Sequence, residues 1–151
     1  MKSILVPVDF SAVTSRVVDS AIKLARMAKA RVVLLHVVPS PSVIRNVLPA
    51  VEDVRMRQAS TGHQAEKKLI ELKRAFRRKC SNIELVHLTG SAASRIVAHA
   101  QTIGATHIVL GSHGHSALRD ALVGSVASSV IKTAPCPVLV IPALNAAAKS
   151  S

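Results

Sequence analysis

The sequence predicts an α/β fold: a single-domain, doubly wound parallel sheet of five strands. Two observations carry this. Short apolar runs rich in β-branched residues alternate with segments of helical period along the 151 residues, as repeated strand–helix units require. The runs are also apolar throughout rather than at every second position, as in strands buried on both faces. The length suits one domain with an ordinary core, and no linker or internal repeat divides the chain.

The first strand is read over Ser3 to Val8. From Ser11 the period changes. Val17, Ala21, Leu24, Ala25 and Ala28 recur at helical spacing, and Ser11 is of the type that caps a helix start. Arg31 to Val38 (RVVLLHVV) is the second strand, closed by Pro39 and Pro41. After a loop, a long basic helix runs from about Val51 to Lys79, with Ala65, Leu69, Leu72 and Phe76 on one face. Asn82 to Leu88 (NIELVHL) is the third strand, and its stronger alternation suits an edge position. Gly90 and Ser91 lead into a helix carrying Ile96, Val97, Ala100 and Ile103, which Gly104 ends. Thr106 to Leu110 is the fourth strand and Pro137 to Ile141 (PVLVI) the fifth. The helix between them is expected to turn Val126, Val130, Ile131 and Ala134 inward. The domain then spans residues 1–142, and 143–151 form a flexible tail with little to pack.

Composition narrows the functions. No apolar run approaches the roughly 18 to 20 residues that cross a bilayer, and the apolar stretch before Asp9 is too short for a signal-peptide core. The default compartment is therefore the cytoplasm. Cys80 and Cys136 lack metal-ligand spacing and are read as reduced thiols, with Cys136 a small packed residue between Pro135 and Pro137. The net charge of +12 favours polyanions, and much of it lies at Lys67, Lys68, Lys73, Arg74, Arg77, Arg78 and Lys79. Yet the chain has no Trp, no Tyr and two Phe, whereas single-strand and RNA modules stack bases on aromatic platforms. Nucleic acid is disfavoured, and the basic helix reads as a solvated face.

The stretch Gly111 to Ser125 (GSHGHSALRDALVGS) is the polar, glycine-rich exception in this chain. Periodicity does not determine strand order. Taken as 3-2-1-4-5, one of the common windings, the order reverses between strands one and four, and ligands of open α/β sheets collect at the carboxyl ends of the strands there. The loops lining that crevice would be Pro7-Val8-Asp9-Phe10 and Gly111 onward. Glycines at 111 and 114 allow close backbone approach and positive φ. Gly124 and Ser125 stand at a helix start, where unpaired N–H groups and the helix dipole favour an anion. Two tight turns and an N-cap explain the glycines equally well. No GxxxxGK motif and no GxGxxG after the first strand is present, so neither a P-loop nor a dinucleotide site is expected. His113 and His115, two apart in a loop, make a poor metal site, and His36, His87, His99 and His107 lie within regular elements, packing or facing solvent.

These residues resemble the universal stress protein family. ILVPVDFS at the start is similar to that family's first strand and aspartate loop, and LLHVV to its second strand. GSHG, nine residues, GS and then APCPVLVI are similar to its glycine signature and last strand. The pieces cover nearly the whole chain in order, and the spacing Gly111-x2-Gly114-x9-Gly124-Ser125 is that of the ATP-binding branch. The resemblance implies a flavodoxin-like fold, also described as adenine nucleotide alpha hydrolase-like, with strand order 3-2-1-4-5 and a homodimer paired through the last strand, here Val138 and Val140. It implies ATP as ligand, with any Mg2+ or Mn2+ held by the phosphates. Adenosine would be held by Asp9 and Val37, with Pro7 and Val8 beside them and Leu110 at the border. The phosphates would lie on Gly111, His113, Gly114, Gly124, Ser125 and Val126. One departure is Ala127, where some ATP-binding members carry a further hydroxyl. In physical terms Asp9 can accept ribose hydroxyl protons, or act as a capping acid ahead of Ser11. Val37 offers an apolar wall, or is an ordinary strand end. Arg119 and Asp120 are candidates for a lid or for a solvent-facing pair.

Three functions then compete. One is a stress or signalling protein that uses ATP as a regulatory ligand. A second is slow ATP hydrolysis or autophosphorylation, although no base or lysine stands in the signature for dedicated catalysis. The third is a nucleotide-independent, partner-binding dimer that uses the last strand and the basic helix.

Overall fold

The computed structural model describes residues 1–40, 42, 54–113 and 123–143. Gly114, His115, Arg119, Asp120 and the tail beyond Ala143 lie outside the described residues. In chain order the elements are β1 (Ser3–Pro7), α1 (Thr14–Ala28), β2 (Arg31–Val38), α2 (Val54–Phe76), β3 (Ile83–Thr89), α3 (Ala92–Thr102), β4 (His107–Gly111), α4 (Ser125–Thr133) and β5 (Val138–Ile141).

The five strands form one parallel sheet in the order β3-β2-β1-β4-β5. Successive residues of each strand feed opposite faces, so continuous apolar runs build two cores. Ile4, Val6, Val32, Leu34 and Val109 pack under α1 and α2, where Val18, Ala21, Leu69 and Phe76 are buried. Leu5, Val33, Leu35, Ile108 and Leu110 pack under α3 and α4 against Ile96, Ala100, Ala127 and Val130. Each fully buried Val, Leu or Ile contributes about 1.5–3 kcal/mol, and these layers fix the sheet.

The predicted face of α2 holds. Ala65, Leu69 and Phe76 are buried, and Leu72 is partly so. α3 buries Ile96 and Ala100 as expected, and the chain leaves it through Gly104 at φ +57°, where the Ala105 N–H reaches the Ala100 carbonyl at 2.9 Å. β3 is an edge strand with exposed Glu84 and His87.

Two expectations are corrected. α4 buries Ala127 and Val130, with Ala134 partly packed, while Val126 and Ile131 are 42% and 47% exposed. Positions 127, 130 and 134 share one helical stripe, and α4 turns that stripe to the core it shares with α3. Ser11 does not cap α1 either. The N-cap is Val13, in helical geometry and without a side-chain cap, and Ser11 instead supplies its carbonyl to the Thr14 N–H at 3.0 Å. A tight turn before the helix replaces the side-chain cap.

Candidate functional site

The sheet order reverses at β1, which pairs with β2 on one side and β4 on the other. At the carboxyl ends of these strands the structure holds a cavity of about 440 Å³, the size of small-molecule sites. All the site residues read from the sequence line it apart from Gly114, which lies outside the described residues: Pro7, Val8 and Asp9 after β1, Val37 in β2, Leu110, Gly111 and His113 at the end of β4, and Gly124, Ser125 and Val126 at the start of α4.

The β1–α1 loop is held by its own backbone and by β2. The Asp9 carboxylate accepts the Ser11 N–H at 3.0 Å, an Asx-type turn. Phe10 follows at φ +61°, in the left-handed region that a bulky residue rarely adopts. Its ring packs 4.6 Å from that of His36. The His36 Nδ1–H donates to the Val8 carbonyl at 2.7 Å, which fixes the proton on Nδ1 because a carbonyl only accepts. His87 of β3 lies beyond His36, with ring centroids 6.1 Å apart. Burial holds the His36 imidazole below the usual histidine range. The Val8 carbonyl and Asp9 oppose that effect, while His87 and Lys68 add to it.

The β4–α4 side is organised around Ser112, which is 5% exposed. Its N–H bonds the Ile141 carbonyl at 2.8 Å, and its carbonyl accepts the Gly124 N–H at 2.6 Å. Its hydroxyl accepts the Ala143 N–H at 3.2 Å and pairs with His113 Nδ1 at 3.0 Å. One serine thus ties β4, β5 and the start of α4 together. Gly124 is the N-cap, extended at φ −67° and ψ 165°, with no side-chain cap. The first-turn N–H groups of α4 have no partner within the helix itself, and Ser125, Val126 and Ala127 line the cavity.

The reason for Gly111 also differs from the sequence reading. Gly90 and Gly104 have positive φ among the described glycines, and Gly111 does not. A Cβ on Gly111 would lie 2.8 Å from Val13 Cγ1, so its bareness serves the close passage of α1 over β4. Four polar residues of the cavity lining are not among the site residues expected from the sequence: Thr14, His36, Ser112 and Thr61. Ser112 stood inside the quoted GSHG motif. His36 adjoins Val37 in an apolar run and gave no separate signal. The arrangement offers an apolar wall, a carboxylate and a helix N-terminus, which together suit a ligand with a flat apolar part, hydroxyls and an anionic end. Cys80 and Cys136 are both unpaired, and burial pushes the Cys136 thiol up. Among the described residues there is no cluster of three or more potential metal ligands, and no helix is long and apolar enough to cross a membrane.

Fold and crevice together define an open parallel α/β domain with a ligand-sized cavity at its reversal point. Residues 1–142 match the Universal stress protein family, and the chain belongs to that family. Universal stress protein MJ0531 of Methanocaldococcus jannaschii is 34% identical over 141 residues, 93% of this chain and 81% of the relative. The solved structure of MJ0577 from the same organism superposes with a TM-score of 0.81 at 28% identity, over 96% of this chain and 98% of that one. The universal stress protein of Archaeoglobus fulgidus in complex with dAMP superposes with a TM-score of 0.68 at 25% identity, over 93% and 98% of the two chains.

Proposed function

We propose that this universal stress protein binds an adenine nucleotide, ATP in the first instance, as a regulatory ligand in a stress-response role. The observation that carries the reading is the cavity itself, which Asp9, Val37 and the start of α4 share. The relative in complex with dAMP supports the ligand class.

In this reading Val37 and Leu110 wall the purine, with Pro7 and Val8 beside them. Asp9 accepts ribose hydroxyl protons. The phosphates lie along Gly111, His113, Gly114 and Gly124, and the N–H groups of Ser125 and Val126 and the Ser125 hydroxyl donate to them. Each charge-assisted hydrogen bond of this kind contributes about 1.5–3 kcal/mol, so three or four suffice to hold a triphosphate. A divalent cation, Mg2+ or Mn2+, would be held by the phosphates rather than by protein side chains. The residues supply binding and orientation, and any hydrolysis or autophosphorylation would be slow, with no dedicated base among them. The protein works in the cytoplasm as a homodimer joined along β5 through Val138 and Val140. β5 is an edge strand, with Leu139 41% exposed.

The test is the nucleotide content of the protein. Freshly purified chain is denatured and the supernatant resolved by anion exchange. Adenine nucleotide approaching one per chain is expected. Protein that carries none, and takes up none from millimolar ATP, would end the reading.

A further inference from the structure

We propose that His36 is a positioning residue of this cavity: its ring sets Asp9 in place for the ribose hydroxyls of the bound nucleotide. The inference rests on the adenine-nucleotide reading above and adds to it a residue that acts through Asp9. β1 ends at Pro7, and Asp9 stands two residues beyond that last paired position. One side chain reaches the residues on both sides of it. The His36 Nδ1–H donates to the Val8 carbonyl at 2.7 Å, and the Val8 N–H bonds the Leu35 carbonyl at 2.8 Å, so the residue before Asp9 is held through both its backbone groups. The residue after Asp9 is Phe10, whose ring lies 4.6 Å from the same imidazole.

The histidine is itself clamped. It is the register partner of His87 in β3, and the two rings stack at 6.1 Å with 16° between their planes. Lys68 of α2 stands 5.5 Å from the centre of the Phe10 ring, a cation–π contact. Phe10 holds a φ of +61°, a conformation that a bulky residue keeps only where its surroundings impose it. The His36 and Lys68 contacts impose it here. A leucine at position 36 would suit the apolar run RVVLLHVV equally well; what leucine lacks is the donor. With both chain neighbours fixed and the Ser11 N–H on its carboxylate at 3.0 Å, Asp9 is ordered before a ligand arrives. A contact ordered in advance binds more tightly, because no loop freedom is lost on binding.

The experiment compares the affinity for ATP with that for 2′,3′-dideoxy-ATP, which lacks both ribose hydroxyls, by calorimetric titration. Wild type, His36→Leu, His36→Gln and His36→Asn are titrated, with thermal melting of the ligand-free proteins alongside. Wild type should prefer ATP by about ten-fold. His36→Leu removes the donor and His36→Gln moves it to the place of Nε2. In both, the preference should fall below about two-fold while the dideoxy affinity stays level. Either variant gives the reading if the other fails to fold. His36→Asn, whose amide N–H stands where the Nδ1–H stood, should recover most of the preference. A wild-type preference in His36→Leu or His36→Gln would overturn the proposal. So would an equal loss of both nucleotides with a lowered melting temperature, which would make His36 a structural residue only. A wild-type chain that binds both nucleotides equally would overturn the role of His36 and leave the adenine-nucleotide reading standing. One that binds neither would remove that reading and the His36 role with it.

Discussion

Val13 packs so closely on Gly111 that a methyl group at position 111 would lie 2.8 Å from Val13 Cγ1. The first residue of the glycine signature is thus a packing residue between β4 and the start of α1. Overpacking of this kind costs about 1–3 kcal/mol. Gly111→Ala should lose about that much in urea unfolding, and adding Val13→Ala should recover part of it. A double-mutant cycle with a coupling above about 0.5 kcal/mol is expected. Strict additivity would mean that the two residues do not meet as described.

Asp9 is tied to its own loop by the Ser11 N–H at 3.0 Å, which gives a clean variant. Asparagine keeps an oxygen for that bond and removes the charge and the second carboxylate oxygen. Asp9→Asn should bind ATP about ten-fold more weakly, given the worth of a charge-assisted hydrogen bond. Unchanged affinity in calorimetry would leave Asp9 a loop residue only.

The sheet was legible because its strands are buried on both faces. RVVLLHVV and PVLVI declare themselves as strands by composition alone, and Gly104 marks a helix end by the conformation it adopts. The crevice followed from the strand order, and the resemblance supplied the residues that surround it. Partner choice at short range was not legible. Val126 and Ile131 look like core residues, but α4 turns the stripe of Ala127, Val130 and Ala134 to the core and leaves those two exposed. Ser11 has the right chemistry for a cap, but the preceding turn uses its carbonyl instead. His36 and Thr14 line the cavity only because the end of β2 and the start of α1 come together there. Hydrophobic period reports which face is buried, and not what an isolated polar group will meet there.

His36 gives a pH prediction with a definite sign. Its pKa in the fold is lowered from 6.5, chiefly by burial, and the pKa of His99 is lowered for the same reason. The unfolded chain therefore binds more protons than the fold between those depressed values and 6.5. Stability is fully present above about pH 6.5 and is lost as the pH falls through the folded pKa values. The groups facing His36 are His87 on β3, Lys68 on α2 and Asp9 on the β1–α1 loop. Proton NMR should find the His36 ring titrating below 6.5, and chemical unfolding should show falling stability from pH 7 toward pH 5. A His36 ring titrating above 6.5 would reverse the sign.

The β5 edge is tested by charge. Val140→Glu should convert a dimer to a monomer in light scattering while leaving the melting profile of the isolated fold cooperative, because a carboxylate at a paired edge opposes its own copy. A variant that stays dimeric would move the interface elsewhere. The exposed Val126 and Ile131 of α4 would then be the next surface to alter.

An adenine nucleotide is expected in the crevice between β1 and β4. The most direct measurement is titration of nucleotide-stripped, nitrogen-15-labelled protein with ATP, followed by amide shifts. Saturable shifts are expected at Asp9, Val37, Gly111 to His113 and Ser125 to Ala127, with little change along Lys23 to Lys29 on the far side. Shifts confined to the basic helix between Lys67 and Lys79, or none at all, would contradict it: the first would show charge attraction alone, and the second would leave the crevice without its nucleotide.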